Sequence, residues 1–285
     1  MKQDSISDKK ILVTGSSGFI GSHIINKLPK SCVVTDKINE KIIDLRNRNE
    51  VVNTEPVDIV IHTAGKIPQV DTHTLADYFD NNTSATLNIL EYCLQKKVKK
   101  LIFVSTYVYG YPKYCPVDEI HPVNPQTPYT MSKYLSELLC KTYSDNSDLK
   151  VTILRPFNIF GKSQRLGFLI PNLVDAIKNG TYITITNKES KRDYLHIDDF
   201  VSLIIKILDV NYKFETFNVG TGISYAFSDI VKHIEDITDK KFNINYNENQ
   251  KTYINEIKAD ITKIKNKFDW QPRITLEEGL RMTLF

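Results

Sequence analysis

Short apolar runs alternate along this chain with longer stretches of helical period. Ile11-Leu12-Val13 and residues 32–35, 57–61, 101–104 and 151–154 are apolar runs of strand length, as expected of strands covered on both faces. Between them, residues 75–94 place Leu87, Leu90 and Leu94 at helical spacing, and residues 129–143 do the same with Leu135, Leu138 and Leu139. Strand and helix in alternation predict an α/β fold built on a doubly wound parallel sheet. Too few residues separate Asp36 from Ile42-Ile43-Asp44-Leu45 for the usual crossover helix. Beyond Pro156 the segments become shorter and less regular, which predicts a second, smaller lobe. The expected division is 1–156 for the main domain and 157–285 for the lobe, with some later segments returning to the sheet.

The first strand runs into Thr14-Gly15-Ser16-Ser17-Gly18-Phe19-Ile20-Gly21. In a strand–turn–helix unit, Gly15 allows the tight turn, Gly18 lets the backbone approach a pyrophosphate, and Gly21 lets the helix pack on the sheet. The helix opening at Phe19 and Ile20 directs its N–H groups and positive dipole end at the phosphates. Asp36 ends the next apolar run about 20 residues beyond the first glycine, where a carboxylate accepts hydrogen bonds from an adenosine ribose. This pairing predicts a Rossmann-type dinucleotide site. Asp36 would repel a 2′-phosphate, so NAD(H) is expected rather than NADP.

Composition narrows the partners. A 41% apolar and 25% charged chain of 285 residues is ordinary for a globular protein with a sizeable core. A net charge of +3 argues against nucleic acid as a partner. The run Lys96-Lys97-Val98-Lys99-Lys100 reads as a helix end and a solvated turn. Cys32, Cys93, Cys115 and Cys140 are widely spaced, without a Cys-x-x-Cys or a nearby His cluster, and read as reduced thiols with no metal. No apolar run reaches the roughly 18 residues a membrane span needs. Residues 1–10 lack the apolar core of a secretory leader, so a soluble, cytoplasmic protein is expected.

The candidate chemistry lies mid-chain. Pro128-Tyr129-Thr130-Met131-Ser132-Lys133 puts a phenol and an ammonium at i and i+4, on one face of a helix that Pro128 can open. An ammonium one turn away would bring a phenol, ordinarily near pKa 10, toward neutral pH and make it an acid/base. Upstream, the strand at 101–104 ends in Ser105-Thr106-Tyr107, and hydroxyls at such a strand end stand where substrates bind. Ser105 is expected to hold a substrate oxygen against Tyr129. His62 and His196 read as structural histidines, Asn158 as either a ligand or a turn residue, and Arg192 as a planar fork suited to phosphate.

With these residues placed, the chain resembles the extended branch of the short-chain dehydrogenase/reductase superfamily, the nucleotide-sugar epimerase/dehydratase/reductase group. The resemblance runs over nearly its whole length. It implies that Gly15, Gly18 and Gly21 form the cofactor turn, that Asp36 binds the ribose, and that Asp44-Leu45 approach the adenine. Thr63 and Ala64, within His62-Thr63-Ala64-Gly65, would run under the cofactor, and Asn82 would steady the backbone of the site. Ser105, Tyr129 and Lys133 fall on the catalytic triad, with Tyr129 and Lys133 also touching cofactor and Ser105 and Thr106 touching substrate. Asn158, in Leu154-Arg155-Pro156-Phe157-Asn158, and Arg192, in Arg192-Asp193-Tyr194, match residues that contact the sugar-nucleotide diphosphate. Asn218-Val219-Gly220-Thr221-Gly222 and Trp270-Gln271-Pro272 complete the pattern.

The resemblance also implies a homodimer through two helices, whose counterparts are residues 82–93 and 129–143. Family dehydratases carry an acid after the strand-end hydroxyl, whereas Thr106 and Tyr107 follow Ser105, which argues against dehydration. Two reactions by hydride transfer at sugar C4 remain. An epimerase that retains NAD is favoured by Asp36, and a 4-keto-6-deoxyhexose reductase by the short Asp36–Asp44 connection. A third reading, a cofactor-binding module without turnover, is disfavoured by the intact Ser105, Tyr129 and Lys133.

Overall fold

The structure, a computed structural model, describes residues 8–38, 41–68, 74–185, 190–210, 212–246 and 256–285. The first seven residues, part of the segment read as lacking a leader, lie outside them. Six strands form the central sheet: β1 (Ile11–Thr14), β2 (Val33–Thr35), β3 (Ile59–His62), β4 (Lys100–Val104), β5 (Lys150–Pro156) and β6 (Phe214–Val219), in the order β6-β5-β4-β3-β1-β2. β1 pairs in parallel with β2 and with β3, and β3–β4 and β4–β5 are parallel as well. The sequence reverses direction across the sheet between β1 and β3, and the strand ends on either side of that switch carry the candidate residues.

Every side chain of β1, β3 and β4 is buried, which explains why these strands read as continuous apolar runs. Leu12, Val60, Leu101, Phe103 and Val151 join Ile89, Leu90 and Cys93 in one core cluster, each large aliphatic contributing about 1.5–3 kcal/mol by its burial. Where the crossover helix is too short to form, a two-residue hairpin stands instead, Lys37–Ile38 against Lys41–Ile42, followed by a short helix at Arg48–Val52.

The chain divides into two compact units. One comprises Met1–Gly110, Val123–Pro156 and Val201–Phe217, and the other Tyr111–Pro122, Phe157–Phe200 and Asn218–Phe285. The second has its own core, in which Phe160, Ile170, Leu173, Tyr194, Ile230, Ile234 and Leu280 pack together.

Two sequence readings change. The stretch at 75–94 is not one regular helix: a short turn at Leu75–Tyr78 passes through a π-helical segment, Phe79–Ser84, before helix α2 (Ala85–Gln95). Lys100 does not solvate a turn. It is buried in β4, and its Nζ donates to the backbone carbonyls of Ile207, Leu208 and Val210, capping the end of the helix Ile197–Ile207. Burial lowers its pKa to about 8. None of Cys32, Cys93, Cys115 and Cys140 is in a disulfide; Cys115 is half-buried and the other three are buried. Among the described residues, no helix is long and apolar enough to cross a membrane.

Candidate active site

At the end of β1 the chain turns through Gly15, whose φ of +69° is the left-handed region that an L side chain rarely adopts. A Cβ there would also lie 2.8 Å from Ala64 N. Gly18 N donates to Gly15 O at 2.9 Å, closing the turn. Helix α1 (Phe19–Lys27) then starts with no side chain capping its first amides. A Cβ on Gly21 would stand 2.2 Å from Gly15 O, so only glycine lets α1 pack this closely. The Asp36 carboxylate, buried at the end of β2, accepts Gly15 N–H at 2.6 Å and Ser16 N–H at 3.2 Å. A carboxylate offers about four lone-pair sites, so two remain for a vicinal diol. Uncapped helix amides, a backbone with no Cβ in the way and a carboxylate facing the turn fit a dinucleotide, with its pyrophosphate over Gly18, Phe19 and Ile20.

Thr63 and Ala64 follow β3 and are fastened to β1: Thr63 Oγ1 donates to Thr14 O at 2.7 Å, and Ala64 N to Thr14 Oγ1 at 3.4 Å. His62 is the structural residue the sequence suggests. Its ring nitrogens meet Thr14 Oγ1 at 2.6 Å and Thr86 Oγ1 at 3.0 Å, and burial, followed by the Lys133 charge, drives its pKa down to about 3. Asp44 and Leu45 lie on a more exposed loop, where the Asp44 carboxylate pairs with Arg46 at 2.7 Å and Leu45 O accepts Asn88 Nδ2 at 2.9 Å.

Helix α3 (Pro128–Asp145) begins at a reciprocal cap, Thr127 with Thr130, and carries Pro128 in its first turn. Its buried face is not the leucine stripe. Ser132, Lys133, Ser136, Glu137 and Cys140 point inward, while Met131 and Leu138 are 38% and 46% exposed. The small serines allow close approach to the π-helical segment, whose wider turn carries Asn82 inward. Asn82 Oδ1 accepts Lys66 N–H at 2.6 Å, and its Nδ2 donates to Lys66 O at 3.0 Å and to Ser132 Oγ at 2.8 Å. Asn82 therefore clamps the loop after β3 to α3.

Tyr129 and Lys133 sit one turn apart on that inward side. The Tyr129 phenol shares a hydrogen bond with Thr106, and its ring meets Tyr78 edge-on, with centroids 6.2 Å apart. Burial raises the phenol pKa and the Thr106 hydrogen bond opposes the rise. The lowering expected from Lys133 is not among these effects. Lys133 Nζ lies 4.2 Å from the Phe103 ring centroid, and burial, partly offset by Cys140 and Glu137, brings the ammonium down to about 8.

Ser105, expected from the sequence to face Tyr129, has a different hydrogen-bond partner here. Its Oγ donates to Glu137 at 2.5 Å rather than meeting Tyr129, so the hydroxyl at the phenol belongs to Thr106. Glu137 also takes Arg155 in a forked pair, at 3.0 and 3.1 Å from Nε and 2.5 Å from Nη2. Sequence reasoning missed Glu137, although Tyr129, Lys133 and Glu137 at i, i+4 and i+8 share one helix face.

Asn158 and Arg192 belong to the second unit. Asn158 opens the strand Asn158–Phe160, which pairs in parallel with Lys191–His196, and its Nδ2 donates to Asp193 O at 2.9 Å. Arg192 is half-buried, opposite Tyr225 and Ile257 on the flanking strands. Next to Arg192 in the strand, Asp193 is fully buried and accepts Thr221 N and Oγ1, Gly222 N and Ala259 N at 2.6–3.1 Å. Gly220 fits beside it because a Cβ would come within 2.5 Å of Asp193 Oδ2. The motif at 218–222 is thus held to the strand that carries Arg192.

Residues 11–220 match the profile of the NAD dependent epimerase/dehydratase family. A putative UDP-glucose 4-epimerase from Methanocaldococcus jannaschii is 32% identical over 95% of this chain and 96% of its own. A GDP-6-deoxy-D-talose 4-dehydrogenase from Aggregatibacter actinomycetemcomitans is 30% identical over 84% of this chain and 83% of its own. Among solved structures, the UDP-glucose 4-epimerase of Thermotoga maritima with UDP-glucose superposes with a TM-score of 0.88 at 28% identity, over 96% of this chain and 97% of that one. A profile match over most of the length, on a fold and a glycine turn of the same kind, places this chain in the NAD dependent epimerase/dehydratase family.

Proposed function

We propose that this protein is an NAD-dependent nucleoside-diphosphate-hexose 4-epimerase. The observation that carries the reading is the Tyr129 phenol hydrogen-bonded to Thr106, with Lys133 one helical turn away. The UDP-glucose 4-epimerases among its relatives and structural neighbours support it. Tyr129, once ionised to the phenolate, takes the proton of the sugar C4 hydroxyl, and Thr106 holds that hydroxyl and the phenol oxygen in line. Lys133, one helical turn away, is assigned the stabilisation of the phenolate once it forms, its charge having no effect on the resting phenol. NAD, held by the glycine turn and Asp36, would supply the hydride acceptor and donor for sugar C4. Tyr129 then gives the proton back, so no net oxidation occurs.

Gly15, Gly18, Phe19, Ile20, Gly21 and Asp36 hold the pyrophosphate and ribose, Asp44 and Leu45 the adenine, and Thr63, Ala64, Asn82 and Lys133 the nicotinamide end. Asn158 and Arg192 bind the substrate diphosphate from residues 157–285, Arg192 through its planar fork. The residues after Ser105 are Thr106 and Tyr107, neither acidic, which disfavours dehydration.

A second reading has a specific motive. The hairpin at Lys37–Ile38 and Lys41–Ile42 shortens the connection after Asp36, and the relative named as a 4-dehydrogenase fits a 4-keto-sugar reductase. The two readings separate on denaturing the purified protein and assaying the released nucleotide. An epimerase yields close to one NAD(H) per chain, and a reductase that exchanges its cofactor yields almost none.

A further inference from the structure

We propose that Glu137 is a positioning residue of this site: tied to Ser105 and Arg155, its carboxylate fixes the strand end that carries Thr106 and stands one helical turn from Lys133. The proposal rests on the reading of Tyr129, Thr106 and Lys133 as the reacting set.

Glu137 is 3% exposed, and a carboxylate so buried must be paired. Arg155 supplies the pairing and in turn donates through Nη1 to Tyr109 OH at 2.8 Å. The network joins α3, the end of β4, the strand β5 and the loop at Tyr109 through side chains alone. Ser105 is locked twice, by its Oγ on Glu137 and by its N–H on Leu154 O at 2.8 Å, which carries the β4–β5 pairing one residue past β4. With Ser105 held on one side of an extended chain, the next side chain projects from the other. That side chain is Thr106, and it meets the Tyr129 phenol. A pairing 32 residues apart in sequence thus decides which of two adjacent hydroxyls reaches the reacting group.

The same carboxylate acts on Lys133. Burial brings that ammonium down to about 8, and Cys140 and Glu137 hold it up. The Cys140 thiol is pushed up by burial and stays neutral, and His62, facing from β3, stays neutral as well. Phe103 presents only its ring face, and burial favours the neutral form of the Tyr129 phenol in the resting site, before it ionises to act as base. Glu137, itself paired with Arg155, is therefore the anionic group among these that supports the Lys133 charge.

The test compares Glu137→Gln, the double variant Glu137→Gln/Arg155→Gln and Ser105→Ala with the unmodified holoprotein. Loss of the anion moves the alkaline fall of kcat to lower pH by roughly one unit or more in both Glu137 variants. In each of them kcat falls by roughly tenfold or more, with KM within about twofold. Ser105→Ala keeps the alkaline limb but loses kcat, because only the tether is cut. The double variant removes the unpaired buried arginine that Glu137→Gln creates, and carries the same expectation if the single change does not fold. In parallel, the Lys133 ammonium is titrated by 15N-lysine NMR, its signal assigned by its loss in Lys133→Met. A lower Lys133 midpoint in the Glu137 variants supports the proposal whether or not a substrate has been found. An unmodified protein silent on every nucleotide sugar counts against the proposed function and leaves the titration to decide Glu137. An unchanged alkaline limb and unchanged Lys133 midpoint in a folded variant overturn the proposal.

Discussion

Asp36 accepts the N–H of Gly15 at 2.6 Å, so the carboxylate that ends β2 is fastened to the turn that ends β1. It orders the glycine turn, and on the proposed reading its remaining lone pairs take a ribose diol while its charge opposes a 2′-phosphate. Asp36→Ala is expected to relax discrimination against NADP by roughly 1–3 kcal/mol, about 5- to 150-fold in the ratio of dissociation constants. Calorimetric titration of both dinucleotides measures it. Tighter binding of NADP than NAD by the unmodified protein would show the role of Asp36 to be misread.

Tyr129→Phe keeps the ring and its edge contact with Tyr78 but removes the proton carrier. Turnover is expected to fall by roughly two orders of magnitude or more, with dinucleotide affinity within a few-fold. Thr106→Val, which removes the hydroxyl and keeps the shape, should cost roughly 10- to 150-fold in kcat, the loss of one hydrogen bond to a developing charge. Thr106→Ser should restore most of it. Near-normal turnover in Tyr129→Phe contradicts the assignment of the proton carrier.

Much of this site is legible in the sequence because its demands are local. The turn at Gly15 needs a positive φ and the packing of α1 needs no Cβ at Gly21, so both leave glycine at fixed offsets from an apolar run. The inward face of α3 is a different case. Its leucines repeat with helical period, but periodicity does not say which stripe meets the core, and the core here accepts Ser132, Ser136, Lys133 and Glu137. The π-helical turn that delivers Asn82 leaves no simple pattern in the chain. The pairing of Ser105 with Glu137, itself held by Arg155, joins residues far apart in sequence, so the strand end alone could not reveal it.

His62 makes stability depend on pH. Its folded value of about 3 lies below the ordinary 6.5, so between these limits the unfolded chain binds a proton that the folded chain refuses. Its contribution is fully present above about pH 6.5 and is lost as pH falls toward 3, at about 1.4 kcal/mol per unit. Urea unfolding at pH 7.5, 6.0 and 5.0 should show this slope, and His62→Gln should flatten it. An equal slope in both proteins would remove His62 as its source.

Leu87 and Leu94 on α2 are 38% and 41% exposed, and Met131 and Leu138 on α3 present further apolar surface. The homodimer that the family resemblance implies, through these two helices, would cover them. Leu138→Glu is expected to shift the mass measured by light scattering from two chains to one, with dinucleotide binding retained. A monomeric unmodified protein at micromolar concentration contradicts the dimer.

The most direct measurement of the central claim follows UDP-, dTDP-, GDP- and CDP-hexoses by NMR with the purified protein, while absorbance in the reduced-nicotinamide band is recorded. An epimerase converts one 4-hydroxy sugar nucleotide into a mixture with its C4 epimer, with no added cofactor and no net change in absorbance. Stoichiometric loss of added NADH on a 4-keto-6-deoxy sugar nucleotide, with no epimer formed from any 4-hydroxy sugar, would contradict it.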